Sequence, residues 1–211
     1  MAILELKDIS KTYGKKSILD KFSLQISEGE MVAITGVSGK GKSTILNILG
    51  LLDGFDSGTM VIDGESNIKP NSSKATRILR EKISYLFQNF ALIDEETVEY
   101  NLNLALRYVN ANKGEKKVFI KDALEKVGLS NMEKSRVHEL SGGEQQRVAL
   151  ARIMLKPSKI ILADEPTGSL DEENLYLVVE ILKSLNESGK TVVVVTHDKK
   201  VAEQCSRVVT I

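Results

Sequence analysis

The sequence holds a single cysteine, Cys205, and only three prolines, Pro70, Pro157 and Pro166. One thiol excludes an intrachain disulfide and a four-cysteine zinc site. Cys205 itself reads as a small buried filler rather than a reactive group. Neither sign of charge is in excess, because 29 lysines and arginines face 29 aspartates and glutamates. That balance excludes attachment to nucleic acid or anionic lipid by bulk charge. Long apolar runs are missing as well. A membrane-spanning helix needs about 20 mostly apolar residues. The best stretch here, Ile45 to Leu52, is short and contains Asn47 and Gly50. The N-terminus places acidic Glu5 and Asp8 where a secretion signal carries its apolar run. A soluble, cytoplasmic chain is therefore expected, with any membrane part supplied by another chain.

What is present is ordinary globular material: 211 residues, 42% hydrophobic and 27% charged, with no repeat and no low-complexity tract. The length suits one domain, or one domain with an inserted lobe. Ile3 to Leu6 and Phe22, Leu24 and Ile26 alternate as half-buried strands do. Met31 to Thr35 is a short apolar run, and Lys42 to Leu52 follows helical spacing. Thr59 to Ile62 and Ile83 to Phe87 read as strands, while Lys69, Lys74, Arg77 and Arg80 lie on a solvated loop running into a helix. From about Asn89 to Met154 the pattern is helical, with Gly128 placed as a C-cap. Ile160 to Ala163 and Val192 to Val195 are continuous apolar runs, as strands covered on both faces require. Leu175 to Leu185 between them is a crossover helix. This βαβ rhythm points to an α/β core with a helical insertion.

The sharpest motif is Gly36-Val37-Ser38-Gly39-Lys40-Gly41-Lys42-Ser43-Thr44. It has the P-loop spacing and stands where the motif must stand, between a buried strand and a helix. Glycines let the backbone curl so that its N–H groups face phosphate oxygens, and the helix N-terminus adds partial positive charge. Lys42 would reach the β- and γ-phosphates, and Ser43 would hold Mg²⁺. Next comes Ile160 to Glu165, an apolar strand delivering Asp164 and Glu165 at its C-terminal end. Ligands of open α/β sheets gather at such ends. Asp164 suits the Mg²⁺ shell, and Glu165 suits orienting and polarising an attacking water. A third strand, Val192 to Val195, leads into His197, placed to sense a γ-phosphate. Finally, Leu140-Ser141-Gly142-Gly143-Glu144-Gln145-Gln146-Arg147-Val148-Ala149 is a second glycine-rich turn opening a helix, hence a second anion site. Physics alone does not say which phosphate it binds.

Leu140 to Ala149 resembles the signature of the ATP-binding cassette family, and the other motifs stand in that family's order along essentially the whole chain. The resemblance implies an α/β P-loop NTPase (RecA-like) core sheet, an N-terminal antiparallel β subdomain and an inserted α-helical subdomain. On that reading 1–88 and 155–211 form the core with its β subdomain, and 89–154 form the helical part. It further implies a head-to-tail dimer with two ATP molecules at the interface. Gly36, Ser38, Gly39, Lys40, Gly41, Lys42, Ser43 and Thr44 would wrap one triphosphate. Ser141, Gly142, Gly143 and Glu144 of the other subunit would close over its γ-phosphate. Tyr13 matches the family's aromatic that stacks on adenine. Gln88 matches the glutamine that links Mg²⁺ and nucleotide to the helical lobe. Asp171, in Ser169-Leu170-Asp171, matches the loop between subunits. Without the resemblance, Tyr13 and Gln88 are an ordinary strand-edge residue and an ordinary loop residue.

No catalytic position departs from the family pattern, so a competent ATPase using ATP and Mg²⁺ is expected. Leu46 to Asp53 and Phe87-Gln88-Asn89-Phe90 resemble cassettes serving macrolide efflux, lipoprotein release and bacteriocin export. Acidic Asp94, Glu95 and Glu96 follow the glutamine where relatives often carry Leu-Pro, a departure from the group's pattern, although the chain otherwise looks most like bacteriocin exporters. The implied partners are a separate transmembrane permease, at the inner face of the cell membrane, and a second copy of this chain, with no nucleic acid. Export of a peptide, drug or lipid-like substrate is the expected role. The alternatives are a cassette that controls a cell-wall hydrolase through a membrane partner, or one acting on nucleic acid. Long coiled coils and paired cassettes mark the nucleic-acid and ribosome members, and this sequence has neither.

Overall fold

The computed structural model describes residues 1–66, 68–168 and 172–211. In chain order the strands are β1 (Ala2–Tyr13), β2 (Lys16–Ser27), β3 (Met31–Thr35), β4 (Ser57–Ile62), β5 (Glu65–Ser66), β6 (Ile83–Leu86), β7 (Ile160–Asp164), β8 (Thr191–Val195) and β9 (Arg207–Thr210). The helices are α1 (Lys42–Leu49), α2 (Ser73–Glu81), α3 (Val98–Ala105), α4 (Lys113–Lys126), α5 (Gly142–Leu155), α6 (Glu172–Glu187) and α7 (Lys199–Ala202). They divide into two compact units. Met1–Tyr85, Ser158–Glu165 and Asn186–Ile211 form the first, and Leu86–Pro157 with Pro166–Leu185 form the second.

The first unit holds two sheets. One has the order β2-β1-β4-β5 with antiparallel pairing, and the other has the order β6-β7-β8-β3-β9. In the second sheet β7, β8, β3 and β9 run parallel. All five residues of β8 are buried, which accounts for its unbroken Val192–Val195 run. Register does the functional work. Ile34 and Asp164 both lie opposite Val195, so β3, β7 and β8 end level with one another. The residues that follow each strand therefore leave the same edge of the sheet.

Helix α1 buries Ile45, Leu46, Ile48 and Leu49 completely. They join a hydrophobic core shared with Ile3, Leu6 and Ile9 of β1 and with Leu162, Val193 and Val195. The helical pattern extends to Leu52, but α1 stops at Leu49 because Gly50 caps it and Leu51 turns left-handed at φ 56°. Replacing the fully buried Leu162 with Ala should cost about 2–5 kcal/mol of stability, through lost transfer energy and an unfilled cavity. Urea unfolding followed by circular dichroism checks this, and a loss near zero would contradict the packing described.

The second unit packs α3 and α4 on α5. Each helix starts at a side-chain cap: Thr97, Asn112 and Ser141. Gly128 follows the end of α4 with φ 69°, as the expected C-cap requires. Fully buried Asn101 holds the loop before α3. It accepts from the Ile93 amide at 2.8 Å and donates to the Ile93 and Thr97 carbonyls at 3.1 and 3.0 Å. Among the described residues, no helix is long and apolar enough to cross a membrane. The buried-filler reading of Cys205 needs correction: it is half-buried in the turn that follows α7, with a weak Sγ contact to the Val201 carbonyl.

Candidate active site

The loop from Gly36 to Gly41 joins β3 to α1, and two of its glycines are required by geometry. Gly36 has φ 147°, and a Cβ there would meet the Ile211 carbonyl oxygen at 2.3 Å. Gly41 has φ 98° and would press a Cβ on Ile18 at 2.9 Å. Gly41 is also the N-cap of α1, and no side chain caps that helix. Its first N–H groups thus keep their capacity for an anion. Ser38, Gly39 and Lys40 are exposed, and Thr44 is half-buried. The Lys42 side chain is buried and folds back over the loop. Its ammonium donates to the Gly36 carbonyl at 2.9 Å and to the Val37 carbonyl at 3.2 Å. A cation is thereby held at the loop.

At the level strand ends, Ser43 and Asp164 meet, the Ser43 hydroxyl donating to Asp164 Oδ1 at 3.2 Å. Burial pushes the Asp164 carboxyl above its ordinary value, and the Ser43 hydrogen bond pulls against that shift. Among the described residues, no three His, Cys, Asp or Glu side chains gather into a metal cluster. One hydroxyl and one desolvated carboxylate nevertheless fit Mg²⁺, which takes one or two carboxylates plus substrate phosphates rather than a protein cage. Glu165, the next residue, adopts φ 44°, which turns its backbone away from the strand direction. Its amide still bonds the Val195 carbonyl at 2.9 Å. Its carboxylate lies 2.9 Å from His197 Nδ1; the Glu165 side chain is 15% exposed and the His197 ring 72%. A base partly shielded from water, beside an open imidazole, is what activation of a bound water calls for.

Tyr13 ends β1 with its ring half exposed. Its hydroxyl donates to Asp53, whose other oxygen takes the Lys11 ammonium at 2.9 Å. Lys11 and Asp53 are residues that sequence reasoning passed over as site groups. Only the two-residue spacing of Lys11 and Tyr13 on one strand face could have signalled the first, and nothing local signals the second.

The remaining candidates belong to the second unit. Gln88 is exposed, just before Phe90 and Ala91, which are left-handed at φ 62° and 49°. Arg152 of α5 holds that turn by donating to the Phe90 and Ala91 carbonyls at 2.6 and 2.5 Å. Ser141 and Glu144 form a capping box. The Ser141 hydroxyl donates to Glu144 Oε2 at 2.7 Å, and the Glu144 amide bonds Ser141 Oγ at 3.4 Å. The Ser141 hydrogen bonds hold the Glu144 carboxyl below its usual value. Gly142 is exposed, whereas Gly143 leaves only 3.3 Å between a would-be Cβ and Asn174. Asn174 also takes the Arg147 guanidinium at 2.5 Å. Asp171, with Ser169 and Leu170, lies outside the described residues.

The strand–loop–helix cradle, with a carboxylate pair at the end of a parallel strand, defines a P-loop nucleoside triphosphatase. Residues 19–168 match the ABC transporter domain family. The MacB macrolide export ATP-binding/permease protein of Campylobacter jejuni is 44% identical over 206 residues, covering 98% of this chain and 32% of that protein. The Escherichia coli MacB is 41% identical over 211 residues, covering 98% and 33%. This chain spans about a third of the length of these relatives. Among solved structures, the bacterial ABC transporter cassette MJ0796, determined as a dimer, matches with a TM-score of 0.91 and 40% identity, covering 99% of this chain and 94% of that one. A second MJ0796 structure, of a post-hydrolysis state bound to ADP and Pi, matches equally well. The chain belongs to the ABC transporter family and is one of its ATP-binding, ATP-hydrolysing cassettes.

Proposed function

We propose that two copies of this chain close head-to-tail around two ATP molecules and drive a transmembrane permease that exports a peptide, drug or lipid-like substrate. The observation that carries the reading is the strand register, which brings the Ser43–Asp164 and Glu165–His197 pairs to one edge of the sheet. Lys42 and the Gly36–Thr44 loop, including Ser38, Gly39, Lys40 and Gly41, would take the phosphates. Tyr13 would take the adenine. Ser43, Asp164 and Gln88 would hold Mg²⁺, which neutralises phosphate charge when bound. Glu165 would accept a proton from the attacking water while His197 steadies both the carboxylate and the γ-phosphate. Ser141, Gly142, Gly143 and Glu144, with Asp171, would complete the site of the opposite copy. The MacB relatives are named for macrolide export and for a joined permease, and MJ0796 is dimeric. Both support the partner and the assembly.

Energy for export comes from the tighter binding of ATP to the closed dimer than to the open one, with hydrolysis undoing that preference. The permease would place the chain at the inner face of the membrane. The exposed carboxylates of Asp94 and Glu95, on a loop whose Glu96 and Asp94 carbonyls take the Val137 and His138 amides, suit a basic segment of that partner. The composite site has a direct test. Ser141→Arg should leave ATP affinity of the single chain unchanged by calorimetry. In a Glu165→Gln background it should abolish the ATP-dependent dimer seen by light scattering. A loss of single-chain ATP affinity, or a persisting dimer, would remove Ser141 from the opposite site.

A further inference from the structure

We propose that Lys11 and Asp53 form a charged clamp that sets the orientation of the Tyr13 ring, making both of them positioning residues for the nucleotide base. The inference rests on the reading of Tyr13 as the base platform and adds to it two residues that would not touch the nucleotide. A half-exposed tyrosine at the end of a strand is ordinarily free to change rotamer. This one is held from two directions. Its hydroxyl donates to Asp53 Oδ2, and the Lys11 ammonium lies 4.7 Å from the ring centroid, over one face. The opposite face is the one left for a base. Lys11 is itself buried and is bound to Asp53 Oδ1 at 2.9 Å, where the Gly54 amide also donates at 2.7 Å. One carboxylate thus joins a buried cation, a backbone amide and the aromatic hydroxyl.

The clamp also ties the platform to the phosphate loop. Asp53 follows α1 closely, and its amide bonds the Asn47 carbonyl of that helix at 3.3 Å. The backbone is fixed in parallel, with the Thr12 amide donating to Asp56 at 2.7 Å. Tyr13 is thereby referenced to the helix whose N-terminus faces the phosphates. A ring ordered beforehand spares the cost of ordering it when ATP binds. Protonation states agree with this arrangement. Burial alone would raise the Asp53 carboxyl, yet the bonds from Lys11, Tyr13 and Gly54 hold it below its ordinary value. The Asp53 hydrogen bond raises both the Lys11 ammonium and the Tyr13 phenol. The ion pair and the phenolic donor therefore persist together around neutral pH.

The test compares ATP with inorganic tripolyphosphate, which has the phosphates and no base, by calorimetry on the full chain in Mg²⁺. Tyr13→Phe deletes only the hydroxyl, Asp53→Asn removes the charge at constant size, and Lys11→Met keeps the stem. Each should weaken ATP binding by about three- to tenfold. Tripolyphosphate affinity should be unchanged, and the Tyr13→Phe/Asp53→Asn pair should be no worse than the more severe single variant. An equal loss for both ligands would make the effect a general structural one and overturn the proposal. If Tyr13→Ala weakens ATP binding while Tyr13→Phe and Asp53→Asn do not, the clamp fails and the base platform stands. If Tyr13→Ala is also harmless, the platform reading fails and the clamp falls with it. Tyr13→Phe, at a half-exposed position, carries the test even if Asp53→Asn proves unstable.

Discussion

Glu165→Gln is expected to lower ATP turnover by roughly 10²- to 10⁴-fold, about 3–5 kcal/mol of barrier, while ATP still binds. The substitution preserves the size of the side chain and an acceptor for the His197 amide, which contacts Glu165 Oε2 at 3.4 Å. It removes the ability to accept a proton and the negative charge beside His197. Binding and chemistry therefore separate, and a dimer closed around ATP has no ready route to reopening. Light scattering should find the variant dimeric with Mg-ATP and monomeric without it, because in the proposed assembly the nucleotide would fill and neutralise the interface. Turnover near that of the unaltered chain would show that Glu165 is not the base. A chain that hydrolyses slowly but stays monomeric would leave Glu165 in place and overturn the two-copy assembly.

Lys42→Ala should act at the earlier step, weakening ATP binding by about 2–5 kcal/mol, or roughly 30-fold and more. The reason lies in the geometry of the loop. The ammonium is already desolvated and already bound to the Gly36 and Val37 carbonyls, so little is spent in positioning it for phosphate. Alanine would leave the triphosphate without this cation at the loop. Calorimetry at constant ionic strength measures the change, and unaltered affinity would remove the phosphate-binding role from this loop. The two variants are distinguishable in one experiment. Glu165→Gln should bind ATP and dimerise, whereas Lys42→Ala should bind it weakly and stay monomeric at the same ATP concentration.

Much of this candidate site is legible in the sequence, because the groups that compose it stand in local motifs. The P-loop is a run of nine residues whose glycines serve backbone conformation and whose Lys42 and Ser43 open a helix. Asp164, Glu165 and His197 each follow an apolar strand, and such strands are recognisable without knowing their neighbours. Ser141 and Glu144 form a capping box three residues apart, another local device. The strand and helix boundaries came close for the same reason: burial on one face or two leaves a periodic trace. Where the reading ran long, as at Leu52, a single left-handed residue past Gly50 ended the helix in a way that hydrophobic spacing does not record.

The sequence by itself determined which groups exist to do the chemistry and, through the resemblance of its motifs, the family to which the chain belongs. Tertiary structure alone decided which of them meet. Ser43 and Asp164 are 121 positions apart, and only the equal register of β3, β7 and β8 brings their side chains within hydrogen-bonding distance. The same holds for Lys11 and Asp53, 42 residues apart, whose pairing depends on where the chain leaves α1 relative to β1. No local pattern encodes such a distance. It follows from packing many apolar side chains into one core, a cooperative outcome in which each pairing depends on all the others.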